Sequence, residues 1–119
     1  MSMSLEWEQV TIDSEDPTSL GNWWKDALRW VIVDDDPEVF EIRPATGRVP
    51  GMLFLRTGNA KTAKNRLHFD FRPDDQAAEV ERLLGLGASR VDIGQGDATW
   101  IVLADPEGNE FCVLSSSAE

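Results

Sequence analysis

The residues best suited to chemistry are gathered in one stretch, Arg66-Leu67-His68-Phe69-Asp70-Phe71-Arg72. Leu67, Phe69 and Phe71 alternate strictly with His68, Asp70 and Arg72, the period-two pattern of a strand with one apolar face. His68 is the only histidine in the chain. An imidazole and a carboxylate two residues apart on one strand face suit two kinds of chemistry. They can ligate a borderline divalent metal, or they can pass a proton as acid and base. A third candidate, Glu110, opens the apolar stretch Glu110-Phe111-Cys112-Val113-Leu114 near the C-terminus.

The elements that must position these groups follow from the rest of the chain. Residues from about Glu6 to Asp13 alternate weakly, with Val10 and Ile12 on one face and Thr11 and Asp13 on the other, and read as a strand. Asp16-Pro17 supplies an N-cap and a first-turn proline. Leu20, Trp23, Trp24, Ala27 and Leu28 then recur at helical spacing, a stripe that needs a sheet to cover. Trp30 to Val33 reads as a short strand ending in the turn Asp34-Asp35-Asp36-Pro37, and Val39 to Arg43 as another strand. The three aspartates lack the glycine and distal glutamate of a calcium loop and read as a solvated turn. Arg48-Val49-Pro50-Gly51 turns into Met52 to Arg56. The polar segment from Thr57 to Asn65 reads as a linker.

The order then repeats. Leu67 to Arg72 is a strand, and Pro73-Asp74-Asp75 starts a helix whose stripe is Ala77, Val80, Leu83 and Leu84 and which ends at Gly85 and Gly87. Strands are expected at Arg90 to Ile93, Thr99 to Leu103 and Glu110 to Leu114, the last two joined by the turn Asp105-Pro106-Glu107-Gly108-Asn109. A shift of 57 residues brings Asp13 onto Asp70, Gly51 onto Gly108 and Phe54 onto Phe111.

Composition bounds the function. The 119 residues suffice for one domain. A net charge of −11 repels phosphate backbones, so nucleic acid and anionic membranes are not expected partners. A lone cysteine, Cys112, forms no internal disulfide and fits a cytoplasmic protein, and the acidic N-terminus lacks the apolar core of a signal peptide. No apolar run approaches the roughly 20 residues of a membrane span.

Two tandem βαβββ units, with Leu67-His68-Phe69-Asp70-Phe71 opening the second and Asp105-Pro106-Glu107-Gly108-Asn109 leading into its last strand, resemble the vicinal oxygen chelate superfamily of glyoxalases, bleomycin resistance proteins and extradiol dioxygenases. The resemblance implies an α+β fold, two tandem βαβββ modules forming a curled, half-barrel-like mixed sheet with helices on the outside. It implies one domain over residues 1–119, with modules at about 5–57 and 66–115 joined by a linker at about 58–65. It also implies a homodimer and a cavity for a small-molecule ligand.

Metal-dependent members carry four ligands, on the first and last strand of each module. His68 and Glu110 fill two of those positions, and the 57-residue shift places Thr11 and Leu53 at the other two. Leu53 has no donor atom, so the quartet is incomplete. Asp70 and Asp13, two residues beyond His68 and Thr11, are the remaining acid–base candidates. The expected ligand-binding residues are Thr11, Asp13, Leu53, Leu55, Trp100 and Cys112, with Leu114 adding an apolar wall. Trp100 faces either the cavity, as a stacking surface, or the second helix. No cofactor is fixed by the sequence; a divalent metal is the one the motif allows. The expected function is binding of a small organic molecule without a complete metal centre. The alternative is a metal-dependent lyase, isomerase or epimerase using His68 and Glu110.

Overall fold

The computed structural model describes residues 6–57, 69–91 and 99–116. The chain divides into two compact units, Met1–Ala60 and Lys61–Glu119, each with its own helix and four-stranded sheet.

The first module contains β1 (Gln9–Ser14), α1 (Pro17–Leu28), β2 (Val31–Asp35), β3 (Val39–Arg43) and β4 (Gly51–Arg56). Its sheet runs β1-β4-β3-β2, with β1 parallel to β4 and the other pairs antiparallel. Helix α1 starts as the sequence indicates. The Asp16 side chain accepts the Ser19 N–H, and Pro17 occupies the first turn, where its missing N–H costs nothing. The helix stops at Arg29, which takes a left-handed conformation with φ of 60°. Its apolar stripe buries Leu20, Trp23, Trp24 and Ala27, and the two indoles meet edge to face at 5.0 Å. Fully burying a residue such as Leu20 contributes on the order of 2 kcal/mol.

Helix and sheet approach closely at Gly21. A Cβ there would lie 2.1 Å from Cδ1 of Phe40, so the absence of a side chain lets the Phe40 ring sit against the helix. Phe40 pairs with Phe54 and Ile42 with Met52 across β3 and β4, and all four are buried. Alternation then assigns Thr11, Asp13, Leu53, Leu55, Glu41 and Arg43 to the opposite, open face.

The second module contains β5 (Phe69–Phe71), α2 (Gln76–Leu86), β6 (Ser89–Arg90), β7 (Ile101–Ala104) and β8 (Glu110–Val113), with sheet order β5-β8-β7-β6. Asp75 caps α2 through the Ala78 N–H, and Gly87, at φ of 116°, ends it. Gly85, expected to help end this helix, lies inside it, because capping requires the positive φ found two residues later. Phe111, Leu103 and Val113 are buried on one face, where Phe71 meets Phe111 edge to face at 5.8 Å.

The register makes the internal duplication explicit. Ile12 pairs with Phe54 and Phe69 with Phe111; both pairs are 42 residues apart and stand 57 residues from each other in the chain. The two N-caps, Asp16 and Asp75, are offset by 59 residues, so the modules differ slightly in their first loops.

Several boundaries differ from the sequence reading. β1 begins at Gln9 rather than Glu6. Asp34 and Asp35 belong to β2 rather than to the turn after it, with a bulge between Ile32 and Asp34 accommodating them. β7 begins at Ile101, so Thr99 and Trp100 precede it in a bend. The expected linker, and the residues around His68 and from Asp92 to Ala98, lie outside the described residues.

Candidate functional site

The site candidates divide between the two modules. In module 1, Thr11 pairs with Leu53 and Asp13 with Leu55 across the parallel β1–β4 ladder. The four expected binding residues therefore share one face, as alternation requires. Thr11, Asp13 and Leu55 are exposed and Leu53 is half-buried.

The same face carries a group that the sequence reading passed over. Glu41 pairs with Leu53 on its other side, across β3–β4. Its carboxylate accepts a 2.7 Å hydrogen bond from Arg43 Nε and lies 2.6 Å from Arg43 Nη2. Arg43 also donates to Glu8 Oε2 at 2.7 Å and to the Arg48 carbonyl at 3.1 Å. Gly51 leaves room beside this arginine: a Cβ there would sit 3.1 Å from Arg43 Cγ. Hydrogen bonds to Glu8 and then to Glu41 push the Arg43 guanidinium further above its already high ordinary range. A raised cation pKa means the charge is complete below the unfolded value, and the pairing is lost only as pH rises through the raised folded value. The network is therefore fully cationic at its centre throughout the neutral range. The available signal was Glu41 and Arg43, two residues apart and out of phase with Phe40 and Ile42.

In module 2, Asp70 pairs with Cys112 across the parallel β5–β8 ladder, and Glu110 lies two residues before Cys112 on the same face. Asp70 is exposed, Glu110 half-buried and the Cys112 thiol buried. Glu110 leaves a tightly built turn. The buried Asp105 carboxylate accepts the Glu107 and Asn109 N–H groups, both at 2.9 Å, and the Asn109 side-chain amide at 3.0 Å. Gly108 completes the turn at φ of 88°. Trp100 is 39 % exposed. Leu114 is half-buried, and its N–H donates to the Phe71 carbonyl at 2.9 Å. His68 lies outside the described residues.

The donor set decides how well a metal of the four-position type fits. Module 1 offers a hydroxyl at Thr11 and a hydrocarbon at Leu53, and the neighbouring carboxylate of Glu41 is held by Arg43. A threonine hydroxyl is a poor ligand beside carboxylate or imidazole. Among the described residues, no three histidine, cysteine, aspartate or glutamate side chains converge in a way that could hold a metal ion. The residues of module 1 therefore do not fit that centre.

Comparison with known proteins agrees with the duplicated topology. A family profile described as a glyoxalase-like domain matches residues 9–114. The chain belongs to this family, within the superfamily of glyoxalases, bleomycin resistance proteins and dioxygenases. A glyoxalase/bleomycin resistance/dioxygenase family enzyme from Burkholderia phytofirmans shares the fold with a TM-score of 0.70 at 16% identity, over 92% of this chain and 97% of that one. A bleomycin resistance determinant encoded on transposon Tn5 aligns with a TM-score of 0.62 at 16% identity, over 95% and 99% of the two chains. The bleomycin-binding protein of bleomycin-producing Streptomyces verticillus, solved with copper(II)-bleomycin, aligns with a TM-score of 0.64 at 14% identity, over 98% and 100%. No curated protein sequence matches significantly. No helix among the described residues is long and apolar enough to cross a membrane.

Proposed function

We propose that this chain is a cytoplasmic protein that binds a small organic molecule in a cavity of the kind its family resemblance implies, without a complete metal centre. The observation that carries this reading is the pairing of Thr11 with Leu53, beside a Glu41 carboxylate already committed to Arg43. Of the two family positions in module 1, one is thereby a hydrocarbon and the other a weakly ligating hydroxyl. A leucine at such a position favours contact with an organic molecule over coordination of a cation.

The remaining groups suggest the ligand's character. Leu53 and Leu55 in module 1, and Leu114 in module 2, offer apolar surface. Asp13 in module 1, and Asp70 and Glu110 in module 2, offer polar anchors. With a net charge of −11, the protein suits a neutral or cationic ligand better than an anionic one. The bleomycin-binding neighbour supports this reading through the fold it shares. The competing reading, a metal-dependent lyase, isomerase or epimerase acting through His68 and Glu110, draws support from Asp70 and Glu110 lying on one face. At the two family positions of module 1 it finds only the Thr11 hydroxyl and the Leu53 hydrocarbon.

The test is a titration of the purified chain with aromatic and cationic compounds, read by quenching of its five tryptophans. Saturable quenching by a subset of compounds, weakened about tenfold in Glu110→Gln and Asp70→Asn, is expected. Absence of quenching by every compound, together with tightly held metal, overturns the reading.

A further inference from the structure

The sheet of module 1 holds a carboxylate that its neighbours use only by half. Glu41, on β3, stands in register between Leu53 of β4 and Asp34 of β2. Its side chain is 15% exposed, and the contacts from Arg43 Nε and Nη2 both fall on Oε2. Among the described residues, nothing donates to Oε1. No buried side-chain oxygen of the described residues lacks a partner, so Oε1 reaches the surface. An acceptor in so enclosed a place gives up much of its water and gains from a donor that a ligand brings.

The acceptor is rigidly mounted. Arg43 is engaged through all three of its nitrogens, with Glu41, Glu8 and the Arg48 carbonyl. Two carboxylates share this one guanidinium, so one negative charge stays uncompensated, and Asp34 adds another across β2–β3. A divalent ion would meet the guanidinium beside Oε2, whereas a monovalent N–H donor needs only the open oxygen. Apolar surface lies next to it: Leu53 is half-buried and Leu55, two residues on, is 38% exposed. Cross-strand neighbours stand about 5 Å apart and alternate residues of one strand about 7 Å, the scale of a small amine with a ring attached. We propose, building on the ligand-binding reading above, that Glu41 is a specificity-determining residue of module 1. Its Oε1 accepts an N–H from a protonated amine of the ligand, whose apolar part lies on Leu53 and Leu55. Arg43 is the positioning residue that holds the carboxylate for it.

Amide-resolved NMR titration of the isotope-labelled full chain with benzylamine and benzyl alcohol tests this. Benzylamine is expected to shift the Glu41, Leu53 and Leu55 amides saturably and to bind about tenfold tighter than benzyl alcohol. Glu41→Gln keeps the shape and an acceptor for Arg43 but removes the charge, and is expected to bring benzylamine down to the level of benzyl alcohol. Arg43→Lys keeps the charge but loses the planar fork, and is expected to lose part of the same preference. Asp26→Asn removes one charge from α1, which packs on the opposite face of the sheet, and is expected to leave the preference unchanged. That control separates Glu41 from the protein's overall negative field. Equal affinity for the two compounds overturns the proposal, as does a Glu41→Gln chain that still prefers the amine. Benzylamine binding that leaves the module 1 amides unmoved overturns it too. In that last case saturable tryptophan quenching by other compounds still upholds the ligand-binding reading, whereas absence of binding by every compound removes both.

Discussion

Glu41 and Leu53 are register partners across β3 and β4, and the carboxylate of the first is held by Arg43 at 2.6 Å. The hydrocarbon thus stands at the position that the 57-residue repeat equates with Glu110, while the nearest acid is one strand away and already paired. Two features of module 1 therefore act against metal ligation, one by lacking a donor and one by engaging it.

Leu53→Glu tests this arrangement from the side of gain. The new carboxylate would sit on the open face beside Thr11 and Glu41, at the position equivalent to Glu110. Calorimetric titration with divalent metal is expected to show binding at least about tenfold tighter than in the native chain. Unchanged affinity would mean that a carboxylate at this position is not a metal ligand.

The contact between Gly21 and Phe40 is expected to be intolerant of even one added carbon. Alanine is the better helix former by about 1 kcal/mol. The Cβ, however, would lie 2.1 Å from a ring that is fully buried against Phe54. Overpacking of this kind costs about 1–3 kcal/mol and more where backbone must move, so Gly21→Ala is expected to be net destabilising by about 2 kcal/mol in urea unfolding. A variant as stable as the native chain would show that the helix does not rest on Phe40.

Asp105 is expected to matter more than its place in a turn implies. Its buried carboxylate accepts two backbone N–H groups and a side-chain amide immediately before Glu110. Asp105→Ala leaves those donors unsatisfied and is expected to cost about 2–3 kcal/mol, with Asp105→Asn recovering part of the loss. Thermal unfolding of the pair checks it; equal stability of the two variants would show that the carboxylate's hydrogen bonds contribute nothing.

Much of this architecture can be read directly from the sequence. Local chemistry marks Asp16-Pro17 and Asp75 as helix starts, because each side chain caps an N–H three residues on without help from the rest of the fold. Alternation places Thr11, Asp13, Leu53 and Leu55 together, because strand period needs no knowledge of partners. What depends on which strand is outermost could not be read that way. Val31-Ile32-Val33 has the composition of a buried strand and lies on an edge, a fact carried only by the order β1-β4-β3-β2. Arg43 bending across Gly51 to reach Glu8 joins residues 35 apart, and no local pattern announces it. Trp100 resisted for a similar reason: it precedes β7 in a bend, where strand alternation no longer assigns a face.

The most direct measurement is the metal content of the chain purified without chelators, by mass spectrometry, beside Glu110→Ala prepared identically. Well under about one tenth of an equivalent of any transition metal is expected in both, with small-molecule binding intact in the native chain. Near-stoichiometric metal in the native protein that disappears in Glu110→Ala would contradict this, because a metal would then be held although Leu53 supplies no donor.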